Sequence, residues 1–345
     1  MKNVHLVITD LFLPKDFAAE VCAGLNLPAL EKLLARGASL SAVQTDQAGV
    51  TFEDFLCELF AVSCSSGAPV AAISAAFDGL EAGYWLRADP VHVRLQREQV
   101  VLLPNVAVSR DESAVLCASL NEHFFDQGLT FVAPHPSRWY VRLDALPDIL
   151  TVPLSQVSGR NIHGNLPTGV DSRRWHQLFN EIQMLLFAHP LNEAREARGE
   201  MPINSVWLWG AGRCEMPAEN AYDCVNSDDI LLEMLALAAK IPCTNWPEKW
   251  HENSLAGRQL LVWTGLRSAL QQGDLAGWRD ALQTFETNYA QPLLQALRAG
   301  KISQLRIDIL GGDSVRQINL NRMQAWSFWH RSRRLADYSH AVTHD

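Results

Sequence analysis

Cysteine pairs, an excess of basic charge and long apolar runs are all missing from this chain of 345 residues, and each absence excludes something. The seven cysteines (22, 57, 64, 117, 214, 224 and 243) include no Cys-x-x-Cys spacing, which argues for thiols rather than a disulfide frame or a zinc site. Lysine is scarce, six against 23 arginines, and the net charge is −9, so no broad basic surface for nucleic acid is expected. No stretch approaches the roughly 20 unbroken apolar residues of a membrane span. The start, MKNVHLVITD, carries charge at Lys2 and Asp10 and lacks a secretory cleavage pattern. A soluble, cytoplasmic protein without nucleic-acid or membrane partners is expected; its oligomeric state is left open. Histidine is also absent between His251 and His330.

What is present is enough apolar material (48%) for a proper core, in one large domain or two ordinary ones. The most informative stretch is His189 to Arg213. Pro190 suits the first turn of a short helix and Gly199 its end. Ile203 to Trp209 has the length and the β-branched and aromatic content of a buried strand. Gly210 and Gly212 then allow a sharp turn that presents backbone N–H groups, with Arg213 at its rim. A helix bearing Asn192, Arg195 and Arg198, followed by such a strand and turn, is a candidate anion cradle. The same pattern also describes a buried strand ending in an ordinary turn.

Earlier in the chain, His5 to Thr9 reads as a short strand ending at Asp10, and open α/β sheets place their chemistry at such strand ends. Asp10 could equally be a turn or cap residue. Pro28 opens an amphipathic helix that stops at Gly37. Thr51, with Asp54 three residues on, reads as the N-cap of the next helix, where free N–H groups and the helix dipole favour phosphate. From residue 83 the pattern changes to β-β-α-β-β, closed by the proline-dotted stretch 146–167. That block reads as a small α+β domain, 83–165, inserted into a core domain of 1–82 and 166–345. Asp89, His92, His135, Arg138, Arg160 and Asn161 stand among its apolar or proline neighbours, either as ligand groups or as satisfied packing residues. In the second half Asp171 opens an amphipathic helix and Asn226 or Ser227 opens another. Asp274 begins a long helix with Trp278, Leu282, Phe285, Tyr289, Leu293 and Leu297 on one face, and Gly311-Gly312-Asp313 turns a strand into a hairpin.

The positions His189, Pro190, Asn192, Arg195, Gly199, Pro202, Asn204, Gly210 and Gly212 resemble the HPxN…R…G…PxN…GxG segment of archaeal-type cofactor-independent phosphoglycerate mutases, in the alkaline phosphatase superfamily. The whole chain resembles a bacterial group named RpfE-type regulatory proteins. The resemblance implies an α/β fold with a mainly parallel sheet flanked by helices, and an inserted lid-like domain. It makes Asp10 a metal ligand, Thr51 the nucleophile, and Arg87 of WLRADPV and Arg138 of HPSRWY substrate-binding arginines. Asp89 stands near the place of a family asparagine. The family's C-terminal histidine and aspartate metal ligands are missing: the corresponding segments read VWTGLRSALQQGD and IDILGGDSV, with only Asp274 and Asp313 as possible substitutes. The expected protein is therefore mutase-like with a degenerate two-metal site. It would bind a small acidic or phosphorylated metabolite, without a cofactor, in a regulatory role. The alternative is an active phosphoryl-transfer enzyme using Thr51 and Asp10 with an unusual Mn or Zn set.

Overall fold

The computed structural model describes residues 2–40, 50–64, 67–96, 99–104, 106–214, 220–252, 257–311, 314–327 and 330–339. Its strands are β1 (Asn3–Thr9), β2 (Ala38–Leu40), β3 (Tyr84–Gln96), β4 (Gln99–Leu103), β5 (Leu129–His135), β6 (Arg138–Leu143), β7 (Ser205–Trp209), β8 (Cys224–Ser227), β9 (Cys243–Asn245), β10 (Arg258–Trp263), β11 (Gln304–Gly311) and β12 (Ser314–Asn321). The chain divides into two compact units, Met1–Phe52 with Ala218–Asp345, and Glu53–Pro217.

The first unit is built on a seven-stranded sheet in the order β2-β12-β11-β1-β10-β8-β9. β1 lies at its centre, parallel to β10 on one side and to β11 on the other. β8 and β9 continue the parallel run, while β12 and β2 add an antiparallel edge. From Val4 to Thr9 every residue of β1 is buried, as a parallel strand covered by helices on both faces requires. Leu6, Ile8, Leu261, Leu305 and Ile307 pack with Leu30 and Leu33 of helix Pro28–Arg36 and with Trp278, Leu282, Phe285, Leu293 and Leu297.

Those last five residues form the expected apolar face, but the long helix is interrupted. It runs Leu275–Phe285, passes through a π-helical turn at Glu286–Ala290, and resumes as Gln291–Ala299. The wide turn carries Glu286 to a fully buried position, where its carboxylate accepts the N–H groups of Ala29 (2.8 Å) and Leu30 (2.9 Å). Leu27, the cap position of helix Pro28–Arg36, has no side-chain acceptor, so Glu286 satisfies that helix start from outside.

The second unit holds an antiparallel sheet in the order β4-β3-β6-β5, with β7 also paired to β3. The expected β-β-α-β-β block is present, with helix Arg110–His123 between its two strand pairs. The unit is wider than the expected 83–165 insert on both sides. β7, expected in the core domain, hydrogen-bonds antiparallel to β3 from Arg87↔Trp209 to Val91↔Ser205. Helix Val70–Phe77 packs its Ala71 and Ala75 against Trp85 of β3 and Tyr140 of β6. Partner choice, not local pattern, moves the boundary to residues 53 and 217. The expected hairpin turn falls partly outside the described residues, at Gly312 and Asp313, although β11 and β12 pair as a hairpin must.

Candidate functional site

In the first unit the carboxyl ends of the parallel strands carry the polar groups. β1 runs into Asp10, whose backbone is left-handed (φ 58°) and held by three hydrogen-bonding contacts. Its N–H donates to Leu310 O (2.8 Å), its carbonyl accepts from the Trp278 indole (3.2 Å), and its carboxylate accepts from Arg267 Nε (3.2 Å). A non-glycine residue with positive φ persists only where its surroundings fix it, and such residues concentrate at functional sites. Arg267 stands in the first turn of helix Gly265–Gln271, directly after β10, and its guanidinium lies 4.2 Å from the ring centroid of Phe52. Phe52 begins helix Phe52–Leu59, and the residue before it is Thr51.

Two further carboxylates follow β8. Asp228 accepts the Thr264 N–H at 2.8 Å, and burial pushes its carboxyl above the usual range against that bond. Asp229 caps helix Ile230–Ala238 by accepting the Leu231 N–H (2.8 Å). Burial raises its carboxyl too, and the nearby Arg267 charge opposes that rise. Asp228 and Asp229 line a cavity of about 400 Å³ together with Glu233, Asn245 and Trp246. The helix after β8 thus starts from Asp229, with Asn226 and Ser227 inside the strand; Ser227 Oγ accepts the Asp229 N–H (2.9 Å). Asp274, a possible substitute ligand, caps the Leu275 helix through Gly277 N–H (2.8 Å). Asp313 lies outside the described residues. Among the described residues, no three His, Cys, Asp or Glu side chains are grouped as a metal would need.

The remaining candidates lie in the second unit, and nearly all have partners there. Arg87 and Asp89 share one face of β3, both buried, with Arg87 Nε 3.0 Å and Nη2 2.5 Å from Asp89 Oδ1. The Trp209 indole donates to the other Asp89 oxygen at 2.8 Å, and Arg87 stacks over Tyr140 and Trp209. Burial drives the Asp89 carboxyl upward despite Arg87. Arg138 grips Asp78 bidentately (2.9 and 2.6 Å), and the Tyr140 hydroxyl donates to the same carboxylate (2.5 Å). Burial alone would raise Asp78, but these two donors hold it below the usual range. His135, lowered by burial and by Arg138, accepts the Ser137 N–H (3.2 Å). Arg87, Asp89, Arg138 and His135 therefore fall in one neighbourhood, with Asp78 and Tyr140 as its unforeseen members.

The motif residues do different work. Asn192 is buried and bonds the carbonyls of Leu186 and Ile203 and the Ile203 N–H. Arg195, 1% exposed, donates to Met201 O (3.0 Å) and Ala107 O (2.5 Å) and pairs with Glu112 (2.9 Å). Asn204 bonds both backbone groups of Val93. Gly210 (φ 76°) donates its N–H to Thr151 Oγ1 (3.0 Å), and its carbonyl accepts the Ala71 N–H (3.0 Å). A Cβ on Gly210 would lie 3.1 Å from Ala71 N, and one on Gly212 2.8 Å from Pro69 Cβ. The two glycines thus admit the start of helix Val70–Phe77. Arg213 donates to the Tyr84 hydroxyl (3.1 Å) and stacks on its ring. Arg160 is exposed, and Asn161 bridges to Val101.

The chain is similar to 2,3-bisphosphoglycerate-independent phosphoglycerate mutases. It is 40% identical over 62 residues to a probable enzyme of that name from Geobacter sulfurreducens, covering 18% of this chain and 16% of that one. It is 27% identical over 181 residues to the Methanothrix thermoacetophila enzyme, covering 51% of this chain and 38% of the relative. The matches thus span well under two thirds of those proteins. No protein-family model matches the chain. The fold is shared with the PH0037 protein of Pyrococcus horikoshii, at a TM-score of 0.56 and 13% identity over 98% of this chain and 92% of that one. Among the described residues no helix is long and apolar enough to cross a membrane.

Arg267, paired with Asp10 at the end of the central strand, is the member of this candidate site that the sequence did not single out. Its segment, VWTGLRSALQQGD, drew notice for the ligands it lacks, although an arginine three residues past a central strand sits where the sheet presents its chemistry.

Proposed function

We propose that this is a phosphoglycerate-mutase-like protein of the RpfE-type regulatory kind, in which a fixed guanidinium has replaced catalytic cations and a phosphorylated acid is bound rather than converted. The observation that carries the reading is the Asp10–Arg267 pair. The resemblance makes Asp10 a metal ligand, yet a divalent ion at its carboxylate would meet the positive charge of Arg267 and, among the described residues, too few other donors. The described residues do not fit the two-metal set.

The same guanidinium supports binding of an acid. It is partly exposed (side chain 22%), stacked on Phe52 beside Thr51, and at the start of a helix whose N–H groups favour anions. The arginines expected to form the cradle favour it less, since Arg87, Arg138 and Arg195 already hold carboxylates.

A thermal-shift titration with 3-phosphoglycerate, together with metal analysis of the purified protein, tests this reading. Stabilisation of the wild type that disappears in Arg267→Ala, with no stoichiometric metal, is the expected result. About two equivalents of Mn or Zn and a mutase activity abolished by Thr51→Ala would establish the enzyme alternative instead.

A further inference from the structure

The first unit carries a second polar cluster, toward the amino ends of β1 and β11 and away from Asp10. His5 stands beside Arg306 in the parallel register, and Asp308, two residues on, shares their face. Asp308 is fully buried and accepts from His5 Nε2 (2.9 Å) and from Arg306 Nε (3.0 Å) and Nη2 (2.7 Å). On the other edge of the imidazole, the hydroxyl of Tyr222, just ahead of β8, lies 2.7 Å from His5 Nδ1. The Tyr222 segment is pinned to β10. The Asp223 N–H donates to Arg258 O (2.8 Å), the Arg258 N–H donates to Asp223 Oδ2 (2.7 Å), and Arg258 Nη2 donates to Asn220 O (2.9 Å).

The proton positions follow from the partners. Burial would raise Asp308, but His5 and Arg306 hold it low, and an ionised carboxylate only accepts. His5 Nε2 therefore carries the ring hydrogen. Burial keeps the imidazole neutral, so Nδ1 turns a lone pair to the Tyr222 O–H. A hydroxyl on a base, and the base on a carboxylate, each within hydrogen-bond reach, is the arrangement of an activated nucleophile. Tyr222 is half-buried between the exposed Ala221 and Asp223, whereas His5 and Asp308 lie inside. Packing alone would be served as well by apolar side chains, since a buried charged set adds little to stability.

We propose that Tyr222 is a nucleophilic modification site: His5 takes its proton, Asp308 positions His5, and the phenol oxygen accepts an acyl group from an activated carboxylic ester. Tyr222 Oη attacks the ester carbon while its proton passes to His5 Nδ1, and the carbonyl electron pair moves onto its oxygen. The imidazolium so formed is paired with Asp308. As the electron pair returns, the bond to the leaving oxygen breaks, and that oxygen takes the proton from His5. The products are acyl-tyrosine and one free alcohol, nothing is oxidised or reduced, and His5 and Asp308 end as they began.

The full chain is treated with p-nitrophenyl acetate, and acetylation of each tyrosine is followed by peptide mass spectrometry. Tyr222 should acetylate on the order of a hundredfold faster than Tyr84, which is likewise half-buried but whose hydroxyl accepts from Arg213 (3.1 Å). In Asp308→Asn the new amide donates to His5 Nε2 and turns the ring hydrogen toward Tyr222, so Tyr222 should acetylate on the order of tenfold slower or more, with Tyr84 unchanged. His5→Gln should slow Tyr222 at least as much. A merely structural cluster predicts the opposite sign, because loosening it exposes Tyr222 and leaves its acetylation unchanged or faster. Should the variants not fold, the wild-type ratio decides alone. A Tyr222 no faster than Tyr84, or one not slowed in a folded Asp308→Asn chain, overturns the assignment.

Discussion

Arg267 Nε lies 3.2 Å from Asp10 Oδ2, so the strand end where a cation would be sought holds a protein cation already. With side chains 22% and 31% exposed, the pair is screened by solvent, and its coupling should be modest. A double-mutant cycle through Asp10→Asn and Arg267→Gln, read by urea unfolding, is expected to give about 0.5–1 kcal/mol. No measurable coupling would mean that the two side chains do not meet in solution, and the reading of the site built on them would fall.

The Arg87–Asp89 pair predicts an asymmetry. Both side chains are buried, but only one can discard its charge. A guanidinium keeps its proton, whereas the Asp89 carboxyl, already raised by burial, can take one up. Asp89→Ala strands a buried cation and should cost about 3–5 kcal/mol. Arg87→Met should cost clearly less, because Asp89 neutralises itself and keeps the Trp209 donor. Equal losses in the two variants would show that the pair is not held as described.

His5 supplies a pH dependence. Its Nε2 lies 2.9 Å from Asp308 Oδ2 and its Nδ1 2.7 Å from the Tyr222 hydroxyl, with Arg306 also bonded to Asp308. Burial lowers the imidazole below its ordinary value more than Asp308 raises it. The folded state therefore binds the His5 proton more weakly than the unfolded chain. Its stabilising contribution is full above the unfolded value of about 6.5 and is lost as pH falls below it. His135 and His189 are lowered by burial too, so they act in the same window. Asp308, which burial would raise, is held low by His5 and Arg306 and acts only at more acid pH. The urea midpoint should drop between about pH 7.5 and pH 5.5, and His5→Gln should shrink that drop without abolishing it. An unchanged drop in the variant would remove His5 from the account.

Much of this architecture was readable from pattern. β1, β3, β4, β10 and β11 announce themselves by composition and length, and the apolar face from Trp278 to Leu297 by its helical period. β2, β8 and β9 did not, because three or four residues carry no period, and Cys224–Ser227 looked like the cap of the helix that follows. β7 was found as a strand but given to the wrong unit, since register with β3 is decided by distant residues. The Arg87–Asp89 pairing was available from the two-residue spacing of a strand face. Arg138 with Asp78 was not, because sixty residues separate them and only the fold brings them together. Gly210 and Gly212 were expected to form a sharp turn presenting N–H groups; the turn is there, and residues 69–71 pack closely against it.

The central position of β1 has a consequence for synthesis. Its two neighbours in the sheet begin at Arg258 and Gln304, so the nascent apolar strand must wait for most of the polypeptide before it can pair. The antiparallel sheet of residues 53–217 is complete by then. Folding on the ribosome should therefore run from the middle of the chain outward, with β1 a segment that chaperones would shield until late.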